Sequence, residues 1–260
     1  MRSPDFPDEQ SLVPYEASSF VASRVVVFAP HADDEVLGCG GALADLLERG
    51  ARLDVVLVTD GAAGARDTEE RARIASLRFE ESRRALEALG GGIVHAGGLP
   101  DRGLAERLGE VEALLARWLV DAAPDLVFAP SPVETHPDHR AVAAALLRLA
   151  GRPAGDLAAR ALEGATVAFF ELSQPFRPNF LFDFTRLRAR KERAMEAFAS
   201  QAAARDYAGF ARGLNAYRGM TLSADVLSVE AYSVCSGFRL RSDPEGVVQA
   251  LLPVAVGRVG

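Results

Sequence analysis

The stretch Arg24-Val25-Val26-Val27-Phe28-Ala29 and the segment His31-Ala32-Asp33-Asp34-Glu35 just after it decide the fold of this chain. A short run rich in β-branched residues is typical of a strand that is buried on both faces of a parallel sheet. The polar segment that follows combines imidazole with carboxylate, which are ligands that suit a divalent metal such as zinc. Together the two pieces predict a buried strand that ends at a candidate metal site.

Four more apolar runs predict further buried strands, at residues 53–59, 93–96, 125–129 and 166–170. Between them apolar residues recur at helical spacing, for example in residues 68–89 and 104–118. Strands that alternate with helices imply a parallel sheet with helices on both faces and right-handed crossovers. We therefore predict an α/β fold, a Rossmann-like three-layer αβα sandwich with a mostly parallel sheet and a smaller C-terminal α+β part.

The chain shows no repeat and no clear linker, so we predict a single α/β domain over residues 21–260. Residues 1–20 are predicted to form an N-terminal extension, which is rich in proline and acidic residues near its start. In the C-terminal part, residues 171–179 are predicted to be a loop, residues 187–202 a late helix and residues 229–234 a late strand. We expect residues 171–260 to shape a substrate cleft.

Composition excludes some function classes. The 260 residues carry a net charge of −7, so the chain lacks the basic footprint that non-specific nucleic-acid binding needs. No apolar stretch is long enough to span a bilayer. Two cysteines offer no disulfide framework and fit a reducing compartment, so we predict a cytoplasmic protein of undetermined oligomeric state.

A second polar segment, His136-Pro137-Asp138-His139, comes after the predicted strand at residues 125–129. If both strands lie in one parallel sheet, both segments emerge at its carboxyl edge, where open α/β sheets bind ligands. His139 lies three residues before Val142, on the core-facing side of its helix. Either segment alone could be a turn or a helix cap. Together they favour one metal site built from two distant parts of the chain.

These two segments resemble the signature segments of the PIG-L/LmbE family of metal-dependent N-deacetylases. The resemblance runs from about residue 24 to residue 234 and includes lesser motifs in the same order: Gly38-Cys39-Gly40-Gly41, Thr59-Asp60-Gly61, Arg78-x-x-Glu81, Leu99-Pro100-Asp101 and Glu230-Ala-Tyr. The chain departs from the family at Ala32, where proline is usual. We expect a less rigid loop there with the metal site intact.

The resemblance implies that His31, Asp34 and His139 bind the metal and leave one position open, as a catalytic zinc requires. The expected ion is Zn²⁺, although Fe²⁺ or Mn²⁺ also suits imidazole and carboxylate ligands. The partner that the resemblance implies is a small-molecule or glycan substrate with an N-acetylamino sugar.

Catalytic roles follow from the same resemblance. Asp33 corresponds to the general base, and His136 to the residue that stabilises the oxyanion or protonates the leaving amine. Asp138 is expected to hold His136 in its useful tautomer. Arg66 and Asp101 lie in loops after the second and third strands, and both are candidates for contacts with the sugar.

Other residues have simpler interpretations. Glu81 falls on the buried stripe of its helix, so we expect a structural ion pair with Arg78 or another nearby arginine. Glu35 is interpreted as a support near the metal loop and His95 as structural. Helix packing is the expected role of Gly38 to Gly41. The glycines around Cys39 also favour a tight turn, and we do not expect Cys39 to bind the metal.

The resemblance implies a zinc-dependent hydrolase that removes the N-acetyl group from an N-acetylglucosamine-containing glycan, glycolipid, thiol precursor or antibiotic sugar. Two alternatives remain open at this point. One is an amidase for a larger N-acyl or thiol-conjugate substrate. The other is a non-catalytic sugar- or nucleotide-binding module on the same fold.

Overall fold

A seven-stranded sheet forms the middle layer of the computed structural model, which describes residues 9–203 and 205–253. Its strands are β1 (Arg24–Ala29), β2 (Arg52–Thr59), β3 (Ile93–Leu99), β4 (Leu126–Pro130), β5 (Thr166–Phe170), β6 (Phe180–Asp183) and β7 (Val229–Ser236). Their spatial order is β3-β2-β1-β4-β5-β7-β6. The first five strands pair in parallel, while β7 runs antiparallel to both β5 and β6.

Helices cover both faces of this sheet. They are α1 (Glu9–Leu12), α2 (Asp34–Glu48), α3 (Thr68–Leu89), α4 (Leu108–Ala122), α5 (Pro137–Ala150), α6 (Leu157–Glu163), α7 (Arg188–Met195), α8 (Ala199–Ala202), α9 (Tyr207–Arg218), α10 (Gly237–Ser242) and α11 (Pro244–Leu251). One apolar cluster joins the sheet to α2, α3 and α7, and a second joins its other face to α4, α5, α6, α10 and α11. The predicted three-layer α/β fold is confirmed.

Strand β1 shows why the sequence specifies this architecture. Val25 and Val27 pack into the first apolar cluster, whereas Val26 and Phe28 pack into the second. Successive side chains of a strand point to opposite faces, so a continuous apolar run is needed when both faces are covered by helices. The β1 run therefore joins the two halves of the core.

The glycines around Cys39 lie inside α2, so the predicted role in helix packing is supported, whereas the prediction of a tight turn there was wrong. The helix already begins at Asp34 and runs through Gly38 and Gly41. A Cβ at Gly38 would collide with the ring of Phe170, and one at Gly41 with Phe184. The glycines lower helix propensity but let two aromatic side chains pack against the helix backbone.

The C-terminal part contains more elements than the sequence analysis predicted. Strand β6 and helices α9, α10 and α11 were missed, and the predicted late helix is divided into α7 and α8. Helix α6, which precedes the C-terminal part, was missed as well. Residues 171–179 form the predicted loop and contain no helix or strand. Short amphipathic pieces of this kind carry too few periods for their pattern to be read from sequence.

The predicted N-terminal extension is described only in part, since residues 1–8 lie outside the described residues. Residues 9–20 contain α1 and end at Phe20, whose buried ring stacks on Phe180 at 4.3 Å and meets Phe128 edge-on at 5.1 Å. This end of the extension is thus part of the core. Within the described residues, every helix is too short or too polar to cross a bilayer.

Candidate metal centre and active site

The two histidine segments meet at the point where the strand order reverses. Strand β1 is followed through α2 by β2 on one side, whereas the chain after β4 leads to β5 on the other side. Such a reversal leaves a crevice outside the carboxyl ends of the two strands. His31 stands just after β1, and His136 and His139 stand at the start of α5 after β4.

Three ligand atoms converge there. The Nδ1 atom of His31 lies 3.3 Å from Oδ2 of Asp34, and Nε2 of His139 lies 3.2 Å from the same oxygen. The two nitrogens are 3.4 Å apart. Zinc bond lengths of about 2.0–2.2 Å place the ligand atoms of a tetrahedral site about 3.3–3.6 Å from one another. The residues predicted as ligands therefore fit such an ion by residue type and by spacing.

The other nitrogen of His31 faces two carboxylates. Its Nε2 lies 3.1 Å from Asp101 and 3.3 Å from Asp138. The Asp138 carboxylate is itself held by the backbone N–H groups of Arg102, at 2.7 Å, and Leu104, at 3.1 Å. A histidine that binds a metal commonly donates its second N–H to a carboxylate, which fixes the ring. These contacts leave Nδ1 of His31 to face the metal position.

The charges of the site favour a cation. Burial alone would lower the pKa of His31, but hydrogen bonds with Asp101, Asp138 and Asp34 raise it well above its usual value. Burial would also lower the pKa of His139, but the charge and the hydrogen bond of Asp34 outweigh it and raise this pKa to about 9. The same contacts with His139 and His31 hold the pKa of Asp34 well below its usual range. The carboxylates thus stabilise positive charge at the place where a metal would replace protons.

Asp33 caps the N-terminus of α2 in a strained conformation. Its φ angle is 120°, in a region that non-glycine residues rarely adopt, and its side chain makes no capping hydrogen bond. The backbone N–H of Asp33 donates to Glu35 at 3.0 Å, and Ser82 also donates to Glu35. Burial and the neighbouring Asp34 charge raise the pKa of the Asp33 carboxyl. Through these hydrogen bonds Glu35 links the loop to α3, which agrees with its predicted supporting role.

His136 is oriented by the backbone and not by the Asp138 carboxylate, so the prediction named the wrong partner for Asp138. The side chain of His136 caps α5, and its Nδ1 accepts from the N–H of Asp138 at 3.2 Å. A neutral imidazole whose Nδ1 accepts must carry its proton on Nε2. The ring of His136 lies 4.7 Å from that of His31 and 5.1 Å from that of His139, measured between centroids.

Glu134 is a buried residue of the site that the sequence analysis missed. Its carboxylate accepts from the backbone N–H groups of Leu172, at 2.6 Å, and Ser173, at 3.1 Å. It also lies 3.8 Å from Nδ1 of His139. Burial would raise its pKa, but His139, Ser173 and Leu172 lower it. Its sequence position, two residues before His136, carries no pattern that marks it as buried.

The two predicted sugar contacts occupy different surroundings. Asp101 follows β3 and reaches His31, and it also accepts from the N–H of Ala63 at 3.2 Å. Arg66 lies in the loop before α3, where its exposed guanidinium is bound to Glu70 at 2.9 Å. Both contacts with sugar remain predictions. Of these two residues, the structure brings only Asp101 together with the predicted metal ligands.

Among the described residues, no arginine forms the predicted ion pair with Glu81. Its carboxylate accepts from the backbone N–H of Ser200, at 2.9 Å, and from the Ser200 hydroxyl, at 2.6 Å. These neutral donors at the start of α8 satisfy a buried acid that the sequence analysis assigned to an ion pair. Arg78 instead contacts Gln201, whose side-chain oxygen accepts from it at 2.8 Å in the amide orientation that satisfies both groups.

His95 and Cys39 lie outside the metal centre. His95 pairs with Asp54 at 2.8 Å and packs on Trp118 with 3.9 Å between ring centroids. The buried Cys39 thiol donates to the carbonyl of Glu35, and burial raises its pKa well above the usual value. Both contacts are internal, so the structural interpretation of these residues is supported.

The matches to known proteins agree with this geometry. The family model of GlcNAc-PI de-N-acetylase, PIG-L, matches residues 26–150, which carry both histidine segments. A diacetylchitobiose deacetylase from Thermococcus kodakarensis is 30% identical over 188 residues, or 68% of this chain and 70% of the relative. A 1D-myo-inositol 2-acetamido-2-deoxy-alpha-D-glucopyranoside deacetylase from Mycobacterium sp. (strain KMS) is 32% identical over 147 residues, 46% of this chain and 48% of the relative.

Solved structures extend the likeness to the fold. The N,N'-diacetylchitobiose deacetylase from Pyrococcus horikoshii matches with a TM-score of 0.71 and 26% identity, covering 86% of this chain and 88% of that one. A 4-carboxy-2-hydroxymuconate hydratase from Pseudomonas putida shares the fold at a TM-score of 0.61 and 24% identity, covering 82% of this chain and 96% of that one. The sequence relatives and the family model together show that the chain belongs to the PIG-L family.

Proposed function

We propose that this chain is a zinc-dependent N-deacetylase that removes the acetyl group from an N-acetylglucosamine-containing substrate. The observation that carries the proposal is the set of three ligand atoms, from His31, Asp34 and His139, at mutual distances of 3.2–3.4 Å. The strained Asp33 and the backbone-oriented His136 beside this set supply the groups that amide hydrolysis needs.

A zinc ion bound there would polarise the acetamide carbonyl and lower the pKa of a water molecule to about 7. In this proposal Asp33, next in the chain to Asp34, accepts a proton from the attacking water. The same carboxyl group can return that proton to the sugar nitrogen as the carbon–nitrogen bond breaks. Water and amide are thereby converted into acetate and a free amine.

The role proposed for His136 is to stabilise the transition state. Its Nδ1 is occupied by the N–H of Asp138, so its Nε2 carries the hydrogen that can be donated to the developing oxyanion. A donor held by the backbone needs little reorganisation during the reaction, which is the source of its catalytic value. The tautomer is therefore set before the substrate arrives.

The substrate class is proposed from the relatives. Two of them are named as deacetylases of 2-acetamido sugars, a disaccharide in one case and an inositol glycoside in the other. We propose a sugar of this kind here as well. The loop at residues 171–179 and Asp101 at the end of β3 stand at the same edge of the sheet, where they would meet the rest of the substrate.

Amine release tests this function. The metal-free protein, prepared with a chelator, and the zinc-loaded protein should be compared on N-acetylglucosamine and on N,N'-diacetylchitobiose, with Fe²⁺ and Mn²⁺ as further ions. Release that depends on added metal is the expected result. Release only from longer N-acyl sugars would favour the amidase alternative. Bound metal without release from any amide would contradict the proposal.

We also propose that the enzyme acts in the cytoplasm. Cys39 and Cys235 are free thiols, which fits a reducing compartment. Fractionation of the producing cells measures the distribution directly. Recovery with secreted proteins would contradict this location without affecting the proposed reaction.

A further inference from the structure

Glu134 connects the metal centre to the neighbouring loop. The wall segment, residues 171–179, is joined to the Glu134 carboxylate by the N–H groups of Leu172 and Ser173. The Ser173 hydroxyl adds a third hydrogen bond at 2.5 Å and lies 2.6 Å from the hydroxyl of Thr135. Only 1% of Glu134 is exposed, so hydrogen bonds from protein groups must replace those that water would give this carboxylate.

The same carboxylate faces a nitrogen that lacks a partner. Among the described residues, no hydrogen-bond partner reaches the buried Nδ1 of His139, and Oε2 of Glu134 is 3.8 Å away. The other nitrogen, Nε2, points to Asp34 and to Nδ1 of His31. When Nε2 binds a metal, Nδ1 must carry hydrogen, and a buried N–H without an acceptor is costly.

We propose that Glu134 is a positioning residue that accepts from His139 Nδ1 when metal is bound and thereby couples the metal centre to the wall segment. The movement required is small, because the 3.8 Å separation exceeds a normal hydrogen bond by less than 1 Å. Carboxylate partners of this kind orient the ring and raise the basicity of the ligand nitrogen. The inference rests on the proposed metal centre and is independent of the substrate.

Zinc affinity tests the first part. The substitution Glu134→Gln keeps the size of the side chain but removes its charge and one acceptor oxygen. We expect zinc affinity to fall by roughly 10- to 100-fold, as measured by competition with a chromophoric chelator on the whole chain. Circular dichroism and thermal melting of the metal-free proteins show whether the variant is folded.

Ser173→Ala is the matched control. It removes the hydroxyl contacts of the wall segment with Glu134 and Thr135 and leaves the His139 side of Glu134 untouched. Its zinc affinity should stay within about twofold of the unmodified chain. An unchanged affinity in Glu134→Gln would overturn the proposal, and so would an equal loss in Ser173→Ala. Neither result depends on amine release, so failure of the proposed reaction is seen separately.

Hydrogen exchange tests the coupling without any substitution. The amides of Leu172 and Ser173 donate to Glu134, so their exchange should slow several-fold when zinc binds if Glu134 gains a second partner. Protection on zinc addition that reached the metal loop but left these two amides unchanged would overturn the coupling. The measurement remains decisive if Glu134→Gln does not fold.

Discussion

Two buried charged clusters contact helix α2, one at its start and one farther along. They differ in how many of their polar atoms have hydrogen-bond partners. At the start stand Asp33 and Asp34 with the metal-facing histidines. Farther along, the buried pair Lys191 and Glu230 lies 2.7 Å apart against the helix backbone. One cluster has strained and unpartnered groups, whereas the groups of the other have several partners each.

The Lys191–Glu230 pair is internally complete. The ammonium of Lys191 donates to Glu230, to Asn215 and to the carbonyl of Leu37. Glu230 also accepts from the N–H of Gly41 at 2.7 Å, from that of Ala42 at 2.9 Å and from the Tyr232 hydroxyl. In a regular helix the N–H of Gly41 bonds to the carbonyl of Leu37. The pair thus bonds to two backbone groups that would bond to each other in a regular helix.

At the proposed metal centre, by contrast, some polar atoms have no hydrogen-bond partner and one residue is strained. Asp33 is held at a φ of 120°, and Nδ1 of His139 has no hydrogen-bond partner among the described residues. Strain and unmet polar groups persist only where the surrounding structure enforces them, and they concentrate at functional sites. In this pair of clusters, the charges with several partners each fit a structural role, whereas the strained and unpartnered groups lie at the proposed metal centre.

The largest expected effect is on catalysis. Asp33→Asn removes the proposed base and keeps a residue type that tolerates positive φ. We expect kcat to fall by roughly 10²- to 10⁴-fold with zinc content and folding unchanged. The exposed Glu69→Gln at the start of α3 is the matched control and should retain full activity. Loss of zinc from Asp33→Asn would show that Asp33 is needed for the metal site itself.

The next effect is on stability and concerns the other cluster. Lys191→Met leaves the buried carboxylate of Glu230 without its counter-charge. Breaking a buried pair in this way costs about 3–5 kcal/mol, so urea unfolding of the metal-free protein should show a loss of this size. The double variant Lys191→Met with Glu230→Gln should recover part of it. A loss below about 1 kcal/mol in the free energy of unfolding would show that this pair has no major structural role.

Added metal should distinguish the two clusters, because only the proposed metal centre is expected to bind an ion. Zinc at 100 times its dissociation constant stabilises the folded chain by about 2.7 kcal/mol, which should appear as a higher Tm. The variant His139→Ala should lose this gain, because it removes a ligand atom. A zinc-dependent rise in Tm that persisted in His139→Ala would place the ion elsewhere on the chain.

The smallest effect compares two glycines in helices. A Cβ at Gly41 would collide with Phe184, so Gly41→Ala should destabilise the chain by about 1–3 kcal/mol. Gly213 in α9 has open space around it, and Gly213→Ala should stabilise by about 0.5–1 kcal/mol. Thermal melting measures both changes. Equal effects at the two positions would contradict the packing role assigned to the α2 glycines.

The alternation of strands and helices could be predicted because it depends on local periodicity. The runs that form β1 and β5 match their structural bounds, and the proposed ligands His31, Asp34 and His139 lie where the sheet edge was expected. Short helices such as α6 and α10 could not be predicted, because few residues define their faces. Glu81 was assigned the wrong partner because its donor, Ser200, lies 119 residues away.

By itself, the sequence determined the layers of the fold and the position of both histidine segments at one edge of the sheet, since both follow from local periodicity and from position along the chain. The proposed metal ligands within these segments were implied by the family resemblance. The tertiary structure alone decided which nitrogen of His31 faces Asp34 and that the Asp138 carboxylate serves His31. It also decided that Glu134 lies between His139 and the wall segment. The contacts with Asp138 and with the wall segment join atoms that are far apart in the chain, so the spacing of residues along the sequence does not predict them.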